Sequence, residues 1–119
     1  MRVIPADRLQ RFESTRDSRS RLDLLTDSPA LKADRIVYHP GDSAARHYHV
    51  GSDHLFVVLR GEGVAHIGEE TRTLRAGDVV DAPDGVVHWF ENPSPGEFSF
   101  VELWAPPPTE TVWIDEGDI

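Results

Sequence analysis

From about residue 34 onward the chain runs in short blocks that alternate apolar and polar residues. "DRIVYH", "HLFVVLRG", "GVAHIG", "TRTL", "DVVDAP", "VVHWFEN" and "FSFVELWAP" follow one another. Each block is rich in β-branched or aromatic residues and is bounded by Gly, Pro, Asp or Asn, as strands are. Turn signals recur at roughly 8 to 12 residues, the spacing of an all-β sandwich or barrel. "RGEG" and "IGEET" read as hairpin turns, because glycine supplies positive φ at no steric cost. The helix candidate is "PADRLQRF", with proline near a helix start and some amphipathic spacing. The prolines of "APPPTE" donate no backbone hydrogen bond, so they end the last sheet strand and lead the chain out in an extended form. The pattern predicts an N-terminal extension over 1–33, packing on the barrel or on a partner subunit, a barrel over 34–105, and an extended tail over 106–119.

Composition narrows the role. A chain of 119 residues suits one domain. It has no cysteine, which excludes disulfides, thiolate zinc sites and cysteine nucleophiles, and fits a cytoplasmic protein. No apolar run of about 18 residues predicts a membrane-spanning helix. The first residues, "MRVIPADRLQRFEST", lack the apolar stretch of a signal peptide. Net charge is −9, from 21 acids against 12 bases. Such a surface repels phosphate backbones and anionic lipid, so neither nucleic acid nor membrane is an expected partner. "RLQRFESTRDSRSR" is rich in arginine and "IDEGDI" is acidic; both read as solvated chain ends, with contact to a neighbouring subunit as the other reading of the arginines.

The candidate chemistry lies in "RHYHVGSDHLFVVLRG", residues 46–61. In a strand, residues two apart share a face, so His47 and His49 aim together and Tyr48 aims away. Gly51, Ser52 and Asp53 are turn residues that can bend the chain and return His54 beside the first pair. From there His54, Phe56 and Val58 share one face. A further imidazole, His88, follows the turn-forming "PDG" on another strand-like run. Neutral imidazole is the commonest protein ligand of transition metals. The bland alternative stays open on these residues alone, because H-x-H pairs are common on surfaces and a lone histidine is more often satisfied or exposed. His39 and His66 belong to that ordinary class.

The glycines change the weighting. From Gly41, five residues lead to His47, one to His49, four to His54 and six to Gly61; from Gly77, five lead to Pro83, one to Gly85, two to His88 and three to Asn92. These strings resemble the two motifs of the cupin family, G-x5-H-x-H-x3–4-E-x6-G and G-x5-P-x-G-x2-H-x3-N. The second is matched at every fixed position. The first departs at one, where His54 stands in place of the usual glutamate. The resemblance implies an antiparallel jelly-roll β-barrel with one divalent transition metal (Fe, Mn, Ni, Cu or Zn) inside. It implies His47, His49 and His88 as ligands, with His54 at the fourth position. An all-neutral ligand set leaves the ion its full charge, which favours anionic oxygen ligands and makes bound water or an enolising substrate more acidic. If His54 swings away, a three-histidine site remains.

Fold does not fix reaction. The expectation is a metal-dependent enzyme acting on a small oxygenated organic substrate, by oxygenase or lyase/isomerase chemistry; the alternative is a non-catalytic domain that binds a small molecule or a metal. Phe56, Val58 and Phe90 are expected to line an apolar cavity. Glu102 and Tyr38 are weak catalytic candidates. Glu102, between Val101 and Leu103, is expected to face solvent, with an interior base of raised pKa as the alternative. Tyr38, Trp89 and Trp104 are expected to be core packing more readily than site residues. "MRVIPA" is a candidate pairing strand for a homodimer.

Overall fold

The computed structural model describes residues 1–115. Their strands are β1 (Gln10–Phe12), β2 (Arg21–Asp27), β3 (Lys32–Tyr38), β4 (His47–Val50), β5 (Asp53–Arg60), β6 (Glu62–Ile67), β7 (Glu70–Arg75), β8 (Val79–Ala82), β9 (His88–Glu91), β10 (Phe98–Ala105) and β11 (Glu110–Trp113). They form two antiparallel sheets, a six-stranded one in the order β1-β2-β3-β10-β5-β8 and a five-stranded one in the order β11-β4-β9-β6-β7. This is a jelly roll, and the seven strand blocks read from the pattern become β3 and β5 to β10.

Alternation decides what lies between the sheets. On β5, His54, Phe56 and Val58 are buried while Leu55 and Leu59 face out. On β10, Phe98, Phe100, Glu102 and Trp104 are buried. On β3, Ile36 and Tyr38 enter the core, and with period two Asp34 takes the same face. The five-stranded sheet answers with Ala65, Leu74 and Phe90. The aromatic centre is close packed: Phe56 meets Phe90 at 4.8 Å, and Phe90 meets Phe100 at 4.7 Å between ring centroids. One end of the interior is therefore filled with hydrocarbon, and the other carries the histidines.

The chain ends depart from the pattern. "PADRLQRF" forms one 3-10 turn, Ala6–Arg8, and then strand β1, with no α-helix. Residues before 32 supply β1 and β2 of the six-stranded sheet. Every residue of β1 is exposed, and β2 shows no clean alternation, so neither carried a period-two signal. Beyond the prolines the tail turns back, and Glu110–Trp113 pairs with β4, placing Thr111 opposite His49 and Trp113 opposite His47. The end of the acidic "IDEGDI", residues 116–119, lies outside the described residues.

Two motif positions hold the turns. Asn92 is buried and donates through Nδ2 to the carbonyls of Tyr38 (3.1 Å) and Gly96 (2.7 Å), while its Oδ1 accepts from the Ser94 amide (3.1 Å) and hydroxyl (2.6 Å). Gly61 has φ +77°, and a Cβ there would lie 1.9 Å from the Glu97 carbonyl oxygen. Backbone cannot give way as a side chain does. Gly61→Ala is expected to cost about 3 kcal/mol or more in urea unfolding, whereas Gly96→Ala, with open space around its Cβ, is expected to stay within about 0.5 kcal/mol of the parent. Equal midpoints for the two variants would contradict this account of the turn.

Candidate metal centre

Three strands of the two sheets deliver the four histidines to one place. β4 carries His47 and His49, β5 carries His54 and β9 carries His88. His47 pairs directly opposite His88 in the β4–β9 register. Gly51, at φ +80°, turns the chain between β4 and β5, so His54 crosses to the other sheet and faces the first pair. Ring centroids lie 4.4 Å apart for His47 and His88, 4.3 Å for His49 and His54, 5.3 Å for His49 and His88, and 5.2 Å for His54 and His88. All four are buried.

Hydrogen bonds orient the rings. The Nδ1–H of His47 donates to the Ala45 carbonyl (2.8 Å), and that of His88 donates to the Val86 carbonyl (2.9 Å). A carbonyl only accepts, so each bond fixes the Nδ1–H tautomer and leaves Nε2 with its lone pair. Nδ1 of His49 lies 2.7 Å from the Thr111 hydroxyl oxygen. Nε2 of His49, Nε2 of His88 and both ring nitrogens of His54 are buried without a hydrogen-bond partner. Buried polar atoms are normally paired. A cluster of partnerless imidazole nitrogens facing one another fits a cation that accepts their lone pairs.

Electrostatics point the same way. Burial lowers His47 to about 4, with the neighbouring His88 adding to the effect. Burial and His54 lower His49 to about 2, and burial and His88 lower His54 to about 3. Burial also lowers His88. All four are neutral near pH 7, which is the ligating form.

Glu102 corrects the expectation that it faces solvent. It is 4% exposed, on the inner face of β10. The reason is register: Phe100 and Trp104 point inward, so the residue between them by twos does as well. The donor atoms of His49, His54, His88 and Glu102 all lie within 4.8 Å of one another. A Glu102 oxygen is 3.8 Å from Nδ1 of His54. Burial pushes Glu102 up to about 8, with Arg19 and Lys32 opposing and Asp34 adding to the shift. A neutral carboxyl beside a neutral imidazole is a dipolar contact and not an ion pair. His47 is not part of that closest group; it packs on its rim, against His88 and against Trp113 at 4.5 Å.

The other expected residues separate by position. Phe56 touches the cluster, at 5.6 Å from His54 and 5.9 Å from His88. Val58 and Phe90 lie deeper, in the hydrocarbon core. Tyr38 is fully buried against Phe98 and Phe100, and burial raises its phenol above the ordinary value, so it is core packing. Trp104 stands over the cluster, 5.2 Å from His54 and 5.8 Å from His49. His39 is exposed, and His66 stacks on Trp89 at 3.8 Å, away from the other imidazoles. Sequence reasoning missed Thr111 and Trp113, because the tail had no strand pattern, and it missed Asp34 and Arg19. Asp34 was findable: it begins the alternation that puts Ile36 and Tyr38 inside.

Beside the cluster is a narrow crevice, too tight for a water molecule, lined by His49, Ser52, His54, Pro83, Gly85, Val86 and His88. A larger groove between β7 and β8 is lined by Glu70, Arg72, Asp78 and Asp81 and contains no histidine, so its size does not make it the site.

The described geometry has relatives. A conserved protein with a double-stranded β-helix domain from Klebsiella pneumoniae superposes with a TM-score of 0.78 at 27% identity, over 95% of this chain and 96% of that one. The polyketide cyclase RemF from Streptomyces resistomycificus superposes with a TM-score of 0.83 over 96% of this chain and 85% of that one, at 15% identity, a likeness of fold alone. An oxalate-binding protein of Thermotoga maritima is 33% identical over 69 residues, 58% of this chain and 57% of that protein. The chain spans about half the length of the curated relatives it matches, 43% of one and 57% of the other. The family described as "Cupin domain" matches residues 34–105, the span that holds all four clustered histidines and Glu102, and the chain belongs to the cupin family.

Proposed function

We propose that His47, His49, His54 and His88 hold one divalent transition metal, and that the chain is an enzyme acting on a small oxygenated organic substrate by lyase/isomerase or oxygenase chemistry. The observation that carries this reading is the set of buried, neutral, partnerless imidazole nitrogens facing one another between the sheets. The nitrogen set suits Fe, Ni, Cu or Zn by ligand type, and Mn is accommodated as well. A divalent ion bound there supplies Lewis acidity toward a substrate oxygen.

The chain's own residues supply the rest. Carbonyls of Ala45 and Val86 hold the rings of His47 and His88 in the ligating tautomer. Trp104 and Phe56 keep bulk water from the cluster, which strengthens polar interactions inside it. Glu102 is the proton-transfer group. Its carboxyl, titrating at about 8, changes state near the working pH, as an efficient acid or base must. The substitution of histidine for glutamate at position 54 thus does not leave the interior without a carboxyl: β10 brings one from outside the motif.

A second reading is a domain that binds without turnover. Its support is the smallness of the crevice and the oxalate-binding protein among the relatives. Both readings accommodate a homodimer, for which the exposed Leu55, Leu59 and Val79 offer an apolar outer face on β5 and β8. Lack of cysteine supports a cytoplasmic setting.

Three outcomes follow. Metal-free protein is expected to take up one equivalent of Zn, Fe or Mn, counted by plasma emission, and His88→Ala is expected to reduce affinity about tenfold or more. Occupancy far below one under every loading condition would sink the metal reading. Screening loaded protein against small diketones, enols and uronates, with O₂ uptake recorded, separates the branches: metal without O₂ consumption removes the oxygenase, and binding without any turnover favours the second reading.

The third outcome concerns pH. Native Glu102 keeps its proton to about 8, while the unfolded chain releases it near 4.5, so the folded state binds more protons between those values. Its contribution to stability therefore falls as pH rises through that window and levels off above it. Buried histidines act oppositely: the unfolded chain takes up protons below about 6.5 and the native cluster does not, so stability is lost on acidification. In the metal-free protein, Glu102→Gln is expected to gain stability relative to wild type between pH 5 and pH 8, read as midpoints of urea unfolding. Parallel curves would show that Glu102 is ionised in the native state.

A further inference from the structure

Strand β11 lies beyond residues 34–105 matched to the cupin domain, and the proposed chemistry does not use it. It runs as a strap along the whole of β4, the strand that carries His47 and His49, from Glu110 opposite Val50 to Trp113 opposite His47. Both ends of the strap are tied. The Thr109 amide and hydroxyl donate to the Val50 carbonyl (3.0 and 3.1 Å). The Ile114 amide donates to the Arg46 carbonyl (2.9 Å), and the Asp115 carboxylate accepts from the Arg46 amide and from its Nε–H (2.8 Å each). A strand tied at both ends has one register, and register decides which side chains meet the histidines. Directly opposed residues of an antiparallel pair meet on the same face. Trp113 accordingly packs against His47, at 4.5 Å between ring centroids, and Thr111 meets His49.

The partner that Thr111 gives His49 differs in kind from those of His47 and His88. Those two rings donate to carbonyls, which can only accept. A hydroxyl gives or takes, so two arrangements satisfy the 2.7 Å contact between Nδ1 and Oγ1. In one, the Nδ1–H of His49 donates to the hydroxyl oxygen and Nε2 keeps its lone pair. In the other, the hydroxyl donates to Nδ1 and Nε2 carries the proton. Nε2 is buried with no hydrogen-bond partner among the described residues, and the ring has no hydrogen bond there besides the one to Thr111. A buried N–H with no acceptor is rarer than an acceptor left underused. The first arrangement is therefore favoured, and it is the one in which a cation can meet Nε2.

We infer that Thr111 is a positioning residue: its hydroxyl takes the Nδ1 proton of His49 and so aims Nε2 of that ring into the cluster. This rests on the reading of the cluster as a metal centre, and it adds to that centre a residue from outside the matched domain. His47 and His88 take their orientation from carbonyls two residues away in their own chain segments, whereas His49 takes its orientation from a strand 62 residues on.

The test is zinc affinity of the full chain, measured by competition with a chromophoric chelator. Thr111→Val keeps the shape of the side chain and removes the hydroxyl; Thr111→Ser keeps the hydroxyl. Thr111→Val is expected to weaken zinc about tenfold or more, and Thr111→Ser to stay within about threefold of wild type. Thr109→Val removes a hydroxyl of the same strap that bonds to the Val50 carbonyl and to no histidine, and it is expected to bind zinc as wild type does. Long-range ¹H–¹⁵N NMR of the metal-free proteins is expected to show His49 as the Nδ1–H tautomer in wild type and Thr111→Ser, and as a mixture of tautomers in Thr111→Val. A Thr111→Val variant with wild-type zinc affinity overturns the inference. So does an equal loss of affinity in Thr111→Val, Thr111→Ser and Thr109→Val, the signature of a strap that acts only by docking. Failure of wild type to load zinc is a separate result that removes the metal reading. The metal-free spectra then still decide: the same His49 tautomers in wild type and Thr111→Val show that the hydroxyl positions nothing.

Discussion

The arrangement depends on one constraint: imidazoles withdrawn from water must stay neutral, and their ring nitrogens must then be used. Four histidines between two sheets would be costly if charged, since each would repel its neighbours in a poorly solvating interior. Held neutral, they still present lone pairs that hydrocarbon cannot satisfy. The fold resolves half of this with backbone carbonyls, which take the Nδ1 protons of His47 and His88 and so turn the other nitrogens inward. The remaining half, the partnerless nitrogens of His49, His54 and His88, is what a cation resolves.

Around that constraint the barrel has two chemically different ends. Phenylalanines from both sheets fill one and fix the separation of the sheets. The other gathers polar groups from elements far apart in sequence: His54 from β5, Glu102 from β10, Asp34 from β3 and Thr111 from β11. Exchange of glutamate for histidine at position 54 removes a carboxylate from the motif, but it does not remove carboxyl chemistry from the interior. Glu102 stands 3.8 Å from the residue that replaced it. A buried carboxyl held neutral near pH 7 differs from an ionised ligand: on the proposed reading it would carry a proton and would leave the charge of a bound ion undiminished.

How much of this could be read from the sequence follows from where information is local. β5 and β9 announced themselves because glycine and proline bracket alternating apolar residues, and the histidines lie at fixed distances from Gly41, Gly61, Gly77 and Gly85. Phe56 was placed correctly by counting in twos from His54. Counting also could have placed Glu102, since Phe98, Phe100 and Trp104 share its parity; instead its charge was allowed to outweigh its register, and the structure reverses that. Thr111 and Trp113 were out of reach, because a four-residue strand after three prolines carries no pattern of its own, and only pairing with β4 brings it to the histidines. Arg19 was invisible for the opposite reason. It sits in a run of arginines that reads as solvated chain, and the chain there is held down by its neighbours Ser18 and Asp17, which bond to Ser43 and Ala45 more than twenty residues away.

The central claim is that neutral imidazoles point their free nitrogens at one another and accept a metal there. Long-range ¹H–¹⁵N NMR of the histidine rings tests it most directly, recorded on metal-free protein and again after one equivalent of zinc. The account predicts Nδ1–H tautomers for His47 and His88, that of His47 persisting on acidification to about pH 5, and Nε2 resonances of His47, His49, His54 and His88 that shift together when zinc is added. Imidazolium rings at about pH 6, or Nε2 resonances that zinc leaves unmoved, would contradict it.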